Sequence, residues 1–312
     1  MATSVALVLT ACGENDGAPG KPGEPLTESF EQANLDWRQR RLERLTAPYG
    51  WLSLVELSVL VPGSEVAIGS AGDNELVVAR GPQRWGTLQV GAAGERARFD
   101  NAAGDAVAFD GRPGASGRLT LPDNGEPTAI EAAGIRMHLI DPGGQLAMRI
   151  RDPRAPTRTE FAGLDYYALK PEWRIEAEFI EYPETRTIQV ANVMGQLIEE
   201  PNPGRARFTL DGKTVALEAI LEDDRLFFIF ADRTSGRETY GLGRFLYADL
   251  PRDGRVTLDF NQAYNPPCAF SAFTTCPLPP DSNRLNAWIR AGEKKYAGPP
   301  GISRAHPPRS PR

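Results

Sequence analysis

Turn residues punctuate this chain at short, regular intervals, and that spacing constrains its fold more than any other feature. Between residues 59 and 140, runs of strand-forming composition alternate with Gly, Pro, Asp and Asn: EVAIGS, NELVVAR, WGTLQVG, RARFD, AVAFDG, GRLTLP and IRMHLI. Glycine reaches backbone angles closed to other residues, proline removes a backbone donor, and Asn and Asp bond their own backbone, so each interruption ends a strand. Runs this short, about ten residues apart, favour a β-sandwich or barrel over alternating βαβ units. A second series starts at Gln145: QLAMRIRD, EFIEYP, RTIQVANVM, ARFTLDG, KTVALEAIL, RLFFIFAD, RFLYADLP and RVTLDFN. Its run Leu226–Phe230 is apolar throughout and is expected to be buried on both faces. Asp211-Gly212 and Asp253-Gly254 have the composition of hairpin turns. The 31 glycines and 27 prolines among 312 residues supply the turns that such a fold needs.

One segment breaks the pattern. Leu26 to Leu45 reads as a helix, with Thr27 or Ser29 as its cap and Glu28 and Glu31 near the positive end of its dipole. Phe30, Leu35, Trp37, Leu42 and Leu45 are its expected apolar contacts. Arg38, Arg40, Arg41 and Arg44 crowd its C-terminal half, where arginine suits the helix dipole; docking of an anionic ligand is the alternative role. Pro48-Tyr49-Gly50 closes the element. The expected fold is therefore mainly β: an N-terminal helix followed by two packed β-rich lobes, sandwich- or barrel-like. The helix and first lobe occupy 26–140, and the second lobe with a Cys/Pro-rich closing loop occupies 141–297. A basic, Pro-rich tail, expected to be disordered, occupies 298–312.

The N-terminus speaks to compartment. Leu9-Thr10-Ala11-Cys12 follows a short apolar run and matches a bacterial lipobox, which marks Cys12 for lipidation and cleavage before it. Residues 1–11 then form the signal peptide, and residues 12–25, GENDGAPGKPGEP after the cysteine, a flexible tether. The apolar run is too short to span a bilayer and lacks a positively charged flank, so the natural start is expected several residues upstream. This reading places the protein in the cell envelope, on the periplasmic or extracellular face, held to the membrane by lipid on Cys12. The net charge is −6, and five Lys/Arg with no acid in residues 294–312 leave −11 on the remainder. An acidic body argues against nucleic acid as a partner. A small-molecule ligand or substrate is the expected partner; oligomeric state is left open.

Several stretches are long enough to carry a resemblance. GWLSL at 50–54, RDPRAP at 151–156, FAGL at 161–164, FADRTSGRETYGLGRFL at 230–246, DFNQAYNPPCAF at 259–270, TCPLPP at 275–280, NRL at 283–285 and AGEK at 291–294 resemble the family called domain of unknown function 1684. The similarity spans residues 36–296. The family occurs in bacteria and archaea and has no assigned activity, so the resemblance supports the importance of these motifs and supplies no mechanism.

The residues themselves limit the chemistry. Histidine occurs twice; His306 lies in the tail and His138 within an apolar strand, where a structural role is expected over a catalytic one. A Ser-His-Asp triad would have to be built on His138. The G-x-S-x-G elbow, the P-loop and G-x-G-x-x-G are all missing. With Cys12 consumed by lipidation, Cys268 and Cys276 form an even pair in an oxidising compartment. A disulfide is the default and would stabilise the fold by about 2–3 kcal/mol. A Cys268 nucleophile beside Asn265, a metal site short of ligands, or two free thiols are the alternatives. Polar residues gather at strand ends and loops: Arg151, Asp152, Asp232, Tyr240, Arg244, Asn261, Tyr264, Asn265 and Asn283. Together they suit a pocket for a small polar or anionic ligand, with arginines for bidentate recognition. Carboxylate and asparagine oxygens would also suit a hard cation such as Ca²⁺, although no specific cofactor or metal site is expected. Glu238 and Asp259 are the candidate acid/base carboxylates of an envelope hydrolase with Arg244 as stabiliser, and a purely structural envelope protein is the third reading. A deep pocket holding a carboxylate of raised pKa near Tyr240 and Tyr264 would favour the enzyme. Dispersed, ion-paired groups would oppose it.

Overall fold

The computed structural model describes residues 29–298 apart from 93–96, 122–125, 142–143 and 185. The expected signal peptide, tether, Cys12 and basic tail lie outside the described residues.

Strands dominate. The first lobe pairs a six-stranded antiparallel sheet with a five-stranded one. The six-stranded sheet runs, in spatial order, Leu54–Val59, Ala147–Arg151, Ile135–Ile140, Ile130–Ala132, Ala108–Phe109 and Arg112–Pro113. The five-stranded sheet runs Leu76–Val77, Glu65–Gly69, Gly86–Gln89, Arg98–Asn101 and Gly117–Arg118, with its first pair parallel. Alternate residues of both meet in one core: Ile68, Leu88 and Phe99 from one sheet, Met137, Met148 and Ile150 from the other, around the fully buried Trp85. Two sheets face to face over a shared core is the arrangement that period-two alternation dictates. The expected lobe boundary at 140 falls between hydrogen-bonded neighbours, because Ala147–Arg151 pairs with Ile135–Ile140 in this sheet.

The second lobe stacks a four-stranded sheet (Lys213–Glu218, Gly204–Leu210, Arg174–Glu181, Arg255–Asp259) on a three-stranded one (Ile220–Glu222, Arg225–Phe230, Arg244–Asp249). A two-stranded ribbon, Thr187–Ala191 with Leu197–Pro201, lies beside them. Leu226, Phe228 and Phe230 face the core between the sheets, while Phe227 and Ile229 face a second cluster containing Val190, Phe245 and Cys276. That double coverage is why the run carries no polar residue. Asp211-Gly212 and Asp253-Gly254 both turn with two successive positive φ values, 49° and 73°, then 50° and 70°. Those angles match the right-handed twist of hairpin strands. Among the described residues no sheet closes into a barrel, and no helix is long and apolar enough to cross a membrane.

The helix spans Phe30–Thr46, and the Ser29 hydroxyl accepts a hydrogen bond from the Gln32 amide at 3.1 Å. Its buried residues are Asn34, Arg41 and Leu45, whereas Leu35, expected to be an apolar contact, is 44% exposed. The docking face is polar because its partners are polar. Asn34 reaches Asp259 at 3.3 Å, Arg38 reaches the Tyr167 carbonyl at 3.1 Å, and Arg41 reaches Glu293 at 2.9 Å.

Candidate ligand-binding cleft

Most of the polar residues singled out from the sequence are engaged with the protein itself. Arg244, 1% exposed, donates to Asp232 at 2.8 Å, to the Ile289 carbonyl at 2.9 Å and to the Ala291 carbonyl. Asp232 also accepts from the Thr234 amide at 2.6 Å. This pair ties the strand carrying Arg244 to the segment that closes the fold. Asp259 accepts from Asn34 and from Asn261 side chain and backbone, and Asn261 bonds both backbone groups of Lys170. Asn265 takes the same kind of place: its amide donates to Glu293 at 2.8 Å, its side chain to the Lys294 carbonyl at 2.8 Å, and its carbonyl accepts from Arg41. Asn283 bridges the backbones of Glu218 and Ile229. Asp152 pairs with Arg80 at 2.6 Å, and the Tyr240 hydroxyl donates to the Cys268 carbonyl at 3.1 Å.

The two candidate acid/base carboxylates stand apart. Glu238 sits at the surface in a two-pronged pair with Arg290 (2.8 and 2.9 Å) and accepts from the Tyr167 hydroxyl at 2.8 Å. Those bonds, from Arg290 first and then Tyr167, hold its carboxyl down at about 2. It is ionised at neutral pH and a weak proton acceptor. Asp259 faces the helix rather than an open cavity. Cys268 and Cys276 form a disulfide, with Cα atoms 6.2 Å apart. Among the described residues no three His, Cys, Asp or Glu side chains gather as metal ligands would.

A large cleft of about 1220 Å³ opens elsewhere, where the helix, the first lobe, the three-stranded sheet, the ribbon and the disulfide loop meet. Of the residues singled out above, Arg151, Tyr264 and Cys276 line it, together with Arg41 and Arg44 of the helix. Its wall is aromatic. Tyr264 stacks on Tyr247 with ring centres 6.4 Å apart, meets Phe245 edge-on at 5.8 Å and lies 6.1 Å from Trp37. Trp51 and Phe227 add to this surface. The Arg41 guanidinium lies 4.6 Å over the Tyr264 ring. Burial pushes the Tyr264 hydroxyl up to about 12, so it remains a neutral donor.

Four arginines reach the cleft, in two electrical classes. Arg41 is neutralised by Glu293, and Arg225 is within 3.6 Å of Asp249. Arg44 and Arg151 have no carboxylate within salt-bridge distance among the described residues. Arg151 instead donates to the carbonyls of Tyr49 and Gly50, which orients it without cancelling its charge. Acidic groups, Glu200, Glu222 and Asp223, also line the cleft. Burial, and then the neighbouring Glu222, raises the pKa of Glu200. Sequence reading missed Glu200, Glu222 and Tyr247. Each sits in an ordinary strand pattern, and only the packing of the ribbon on the three-stranded sheet brings them together.

Comparison with known proteins adds the following. Residues 159–294 match the profile of the family described as "Protein of unknown function (DUF1684)". A solution NMR structure of an uncharacterized protein from Haloarcula marismortui is 34% identical, over 44% of this chain and 78% of that one, with a TM-score of 0.37. No curated protein matches the chain.

Proposed function

The chain belongs to that family of unknown function, and from this premise we propose that it is a binding protein which takes a small organic anion into the aromatic cleft. The observation that carries the reading is the meeting of an aromatic wall with two guanidiniums, Arg44 and Arg151, that no carboxylate meets within salt-bridge distance among the described residues, the acids of the cleft, Glu200, Glu222 and Asp223, standing farther off. Aromatic faces supply apolar area at low entropic cost, and arginine supplies a planar fork that fits carboxylate or phosphate. Concave, mostly apolar sites with a few polar groups are the usual form of small-ligand pockets. Acid–base hydrolysis is the second reading, and its support is Glu200, a carboxylate of raised pKa that lines the same cleft as Tyr264; the groups available as nucleophiles weigh against it. The hydroxyl and sulfur groups of the cleft are tyrosines, Thr274, Thr275 and the disulfide-bonded Cys276, and none is paired with a histidine among the described residues.

The test is calorimetric titration with benzoate against its neutral amide. Benzoate is expected to bind and the amide to bind at least about tenfold more weakly, the size of one charged hydrogen bond. Arg151→Ala and Tyr264→Ala should each weaken benzoate by a similar factor. Equal binding of the two probes, or indifference to both substitutions, would remove the cleft from consideration.

The proposal extends to place: a protein of the cell envelope, tethered through lipid on Cys12. The supporting features are Leu9-Thr10-Ala11-Cys12 and a disulfide, which persists in oxidising compartments. Metabolic labelling with palmitate in a bacterial host should mark the protein and should vanish in Cys12→Ala. Undiminished labelling of that variant would rule the tether out.

A further inference from the structure

The outer face of the six-stranded sheet carries an arrangement of which the benzoate-type reading uses Arg151 alone. In its register Arg136 lies directly opposite Arg151, and His138 directly opposite Arg149. All four side chains therefore project from the same face, while Met137, Leu139, Met148 and Ile150 project into the core. Like charges directly opposite on adjacent strands repel and destabilise the pair. Among the described residues one acid is paired with them: Glu131, on the neighbouring Ile130–Ala132 strand, holds Arg136 at 2.6 Å. Leu54–Val59, on the other side, presents Leu57 opposite Arg149. The turn above presents Tyr49 over Arg136 and Trp51 over Arg149 and Arg151, at 4.2, 5.3 and 5.5 Å.

Arg149 is the unusual member. It makes no ion pair among the described residues, and its Nε is buried without a hydrogen-bond acceptor. Burial and then the Arg151 charge lower its pKa to about 10. Contact with the Trp51 ring offsets part of the cost, since a cation over an aromatic face is worth about 0.5–2 kcal/mol. Leaving a buried charge without a partner costs more than that. A sheet that keeps two guanidiniums without carboxylate partners among the described residues on one face, beside an imidazole, is suited to meet an anion.

We propose that Arg149, Arg151 and His138 form a subsite for a phosphoryl dianion at the first-lobe end of the cleft, reached past Trp51 and Arg151. The inference rests on the cleft reading for the rest of the ligand, making it a phosphate monoester with an apolar body. Charge decides between phosphate and carboxylate. With Arg136 answered by Glu131, two uncompensated positive charges remain, and a phosphate monoester carries −1.5 to −2 near neutral pH. Each guanidinium can offer two parallel N–H donors to its oxygens, and neutral His138 offers one more. Arg151 and Trp51 line both the cleft and this cluster, so the two sites are continuous.

The chain's two histidines make the test direct. Ring ¹H–¹³C spectra of the full chain at neutral pH are recorded while inorganic phosphate, or acetate at matched ionic strength, is added. Phosphate is expected to move the His138 signal saturably and leave His306 in place, and acetate to move neither. Arg149→Gln should weaken phosphate about tenfold or more, while Arg207→Gln, at a surface ion pair on the second lobe, should not. Arg149→Gln removes a half-buried charge that has no ion pair among the described residues and whose Nε lacks an acceptor, so its melting temperature without phosphate should equal or exceed that of the parent. Should that variant not fold, the titration of the unmodified chain decides. Parallel, unsaturating drift of both histidines, or unchanged binding in a folded Arg149→Gln, would overturn the subsite. Tyr264→Ala separates the two readings, because it should weaken benzoate and spare phosphate. Benzoate binding with an unmoved His138 would sink the subsite alone, and saturation at His138 with no benzoate binding would sink the cleft alone.

Discussion

His138 shows how a single side chain converts position into pH dependence. Burial, then the charges of Arg151, Arg149 and Arg136, hold its pKa at about 4, against 6.5 in a free chain. As pH falls below 6.5 the unfolded chain takes up a proton at this site, while the folded protein resists until about 4. The unfolded state binds more protons throughout that window, so stability falls as pH falls through it. A displacement of this size corresponds to a loss on the order of 3 kcal/mol. Urea midpoints of the parent and of His138→Gln should therefore diverge between pH 7 and pH 4.5, the parent losing more. Identical losses would mean that the imidazole titrates as freely folded as unfolded. The arginines teach a parallel lesson. Arg244 is buried and Arg149 half-buried, and one donates to three acceptors while the Nε of the other is enclosed without one. Residue type alone does not separate a structural arginine from one that awaits a ligand; the count of its partners does.

At the scale of the element, local patterns were readable and their meetings were not. The apolar run 226–230 announced a strand covered on both faces because alternation is unnecessary where neither face sees water. Asp-Gly pairs announced tight hairpins because few residues tolerate two successive positive φ values. The GLGRFL stretch lacked the glycines of a phosphate loop, and the structure gives Gly243 another task. It adopts φ +99°, and a Cβ there would sit 2.6 Å from both the Phe230 carbonyl and a Pro279 ring carbon. The helix was legible in existence but not in orientation. Apolar periodicity pointed to Leu35, whereas the docked stripe is Asn34, Arg38, Arg41 and Leu45, spaced one turn apart. A polar docking face cannot be read from hydropathy, because its partners, Asp259, Tyr167 and Glu293, come from distant sequence. The candidate site was half legible for the same reason. Arg151 and Tyr264 stand out in the sequence as polar residues at strand ends and loops, and the arginines of the helix stand out by their crowding. Tyr247, Glu200 and Glu222 sat inside strands that look like any others until the ribbon and sheet are packed together.

For the whole molecule, the segment from Asp259 to Lys294 is the fastening. It carries the disulfide, accepts Arg244 through the carbonyls of Ile289 and Ala291, and supplies the acids that hold the helix. The contacts Asn34–Asp259 and Arg41–Glu293 join residues 225 and 252 positions apart. This arrangement sets a direction in time. A ribosome delivers the helix well before Asp259 and Glu293, so for most of synthesis it has only its nearer contacts, such as Leu45 with Leu52, and lacks the acids that will hold it. Contacts of such long separation are costly to close early, and an isolated helix of 17 residues is marginal in water. Seating of the helix on these acids is thus expected late in folding, and the cleft it borders is completed with it. Pulse-labelled hydrogen exchange during refolding should find amides of 30–46 protected after those of 225–230 and 244–249; protection in the reverse order would refute the sequence of events. That schedule suits the envelope location proposed above: with its first element left loose until its last residues arrive, a chain bound for export stays open long enough to be threaded across a membrane.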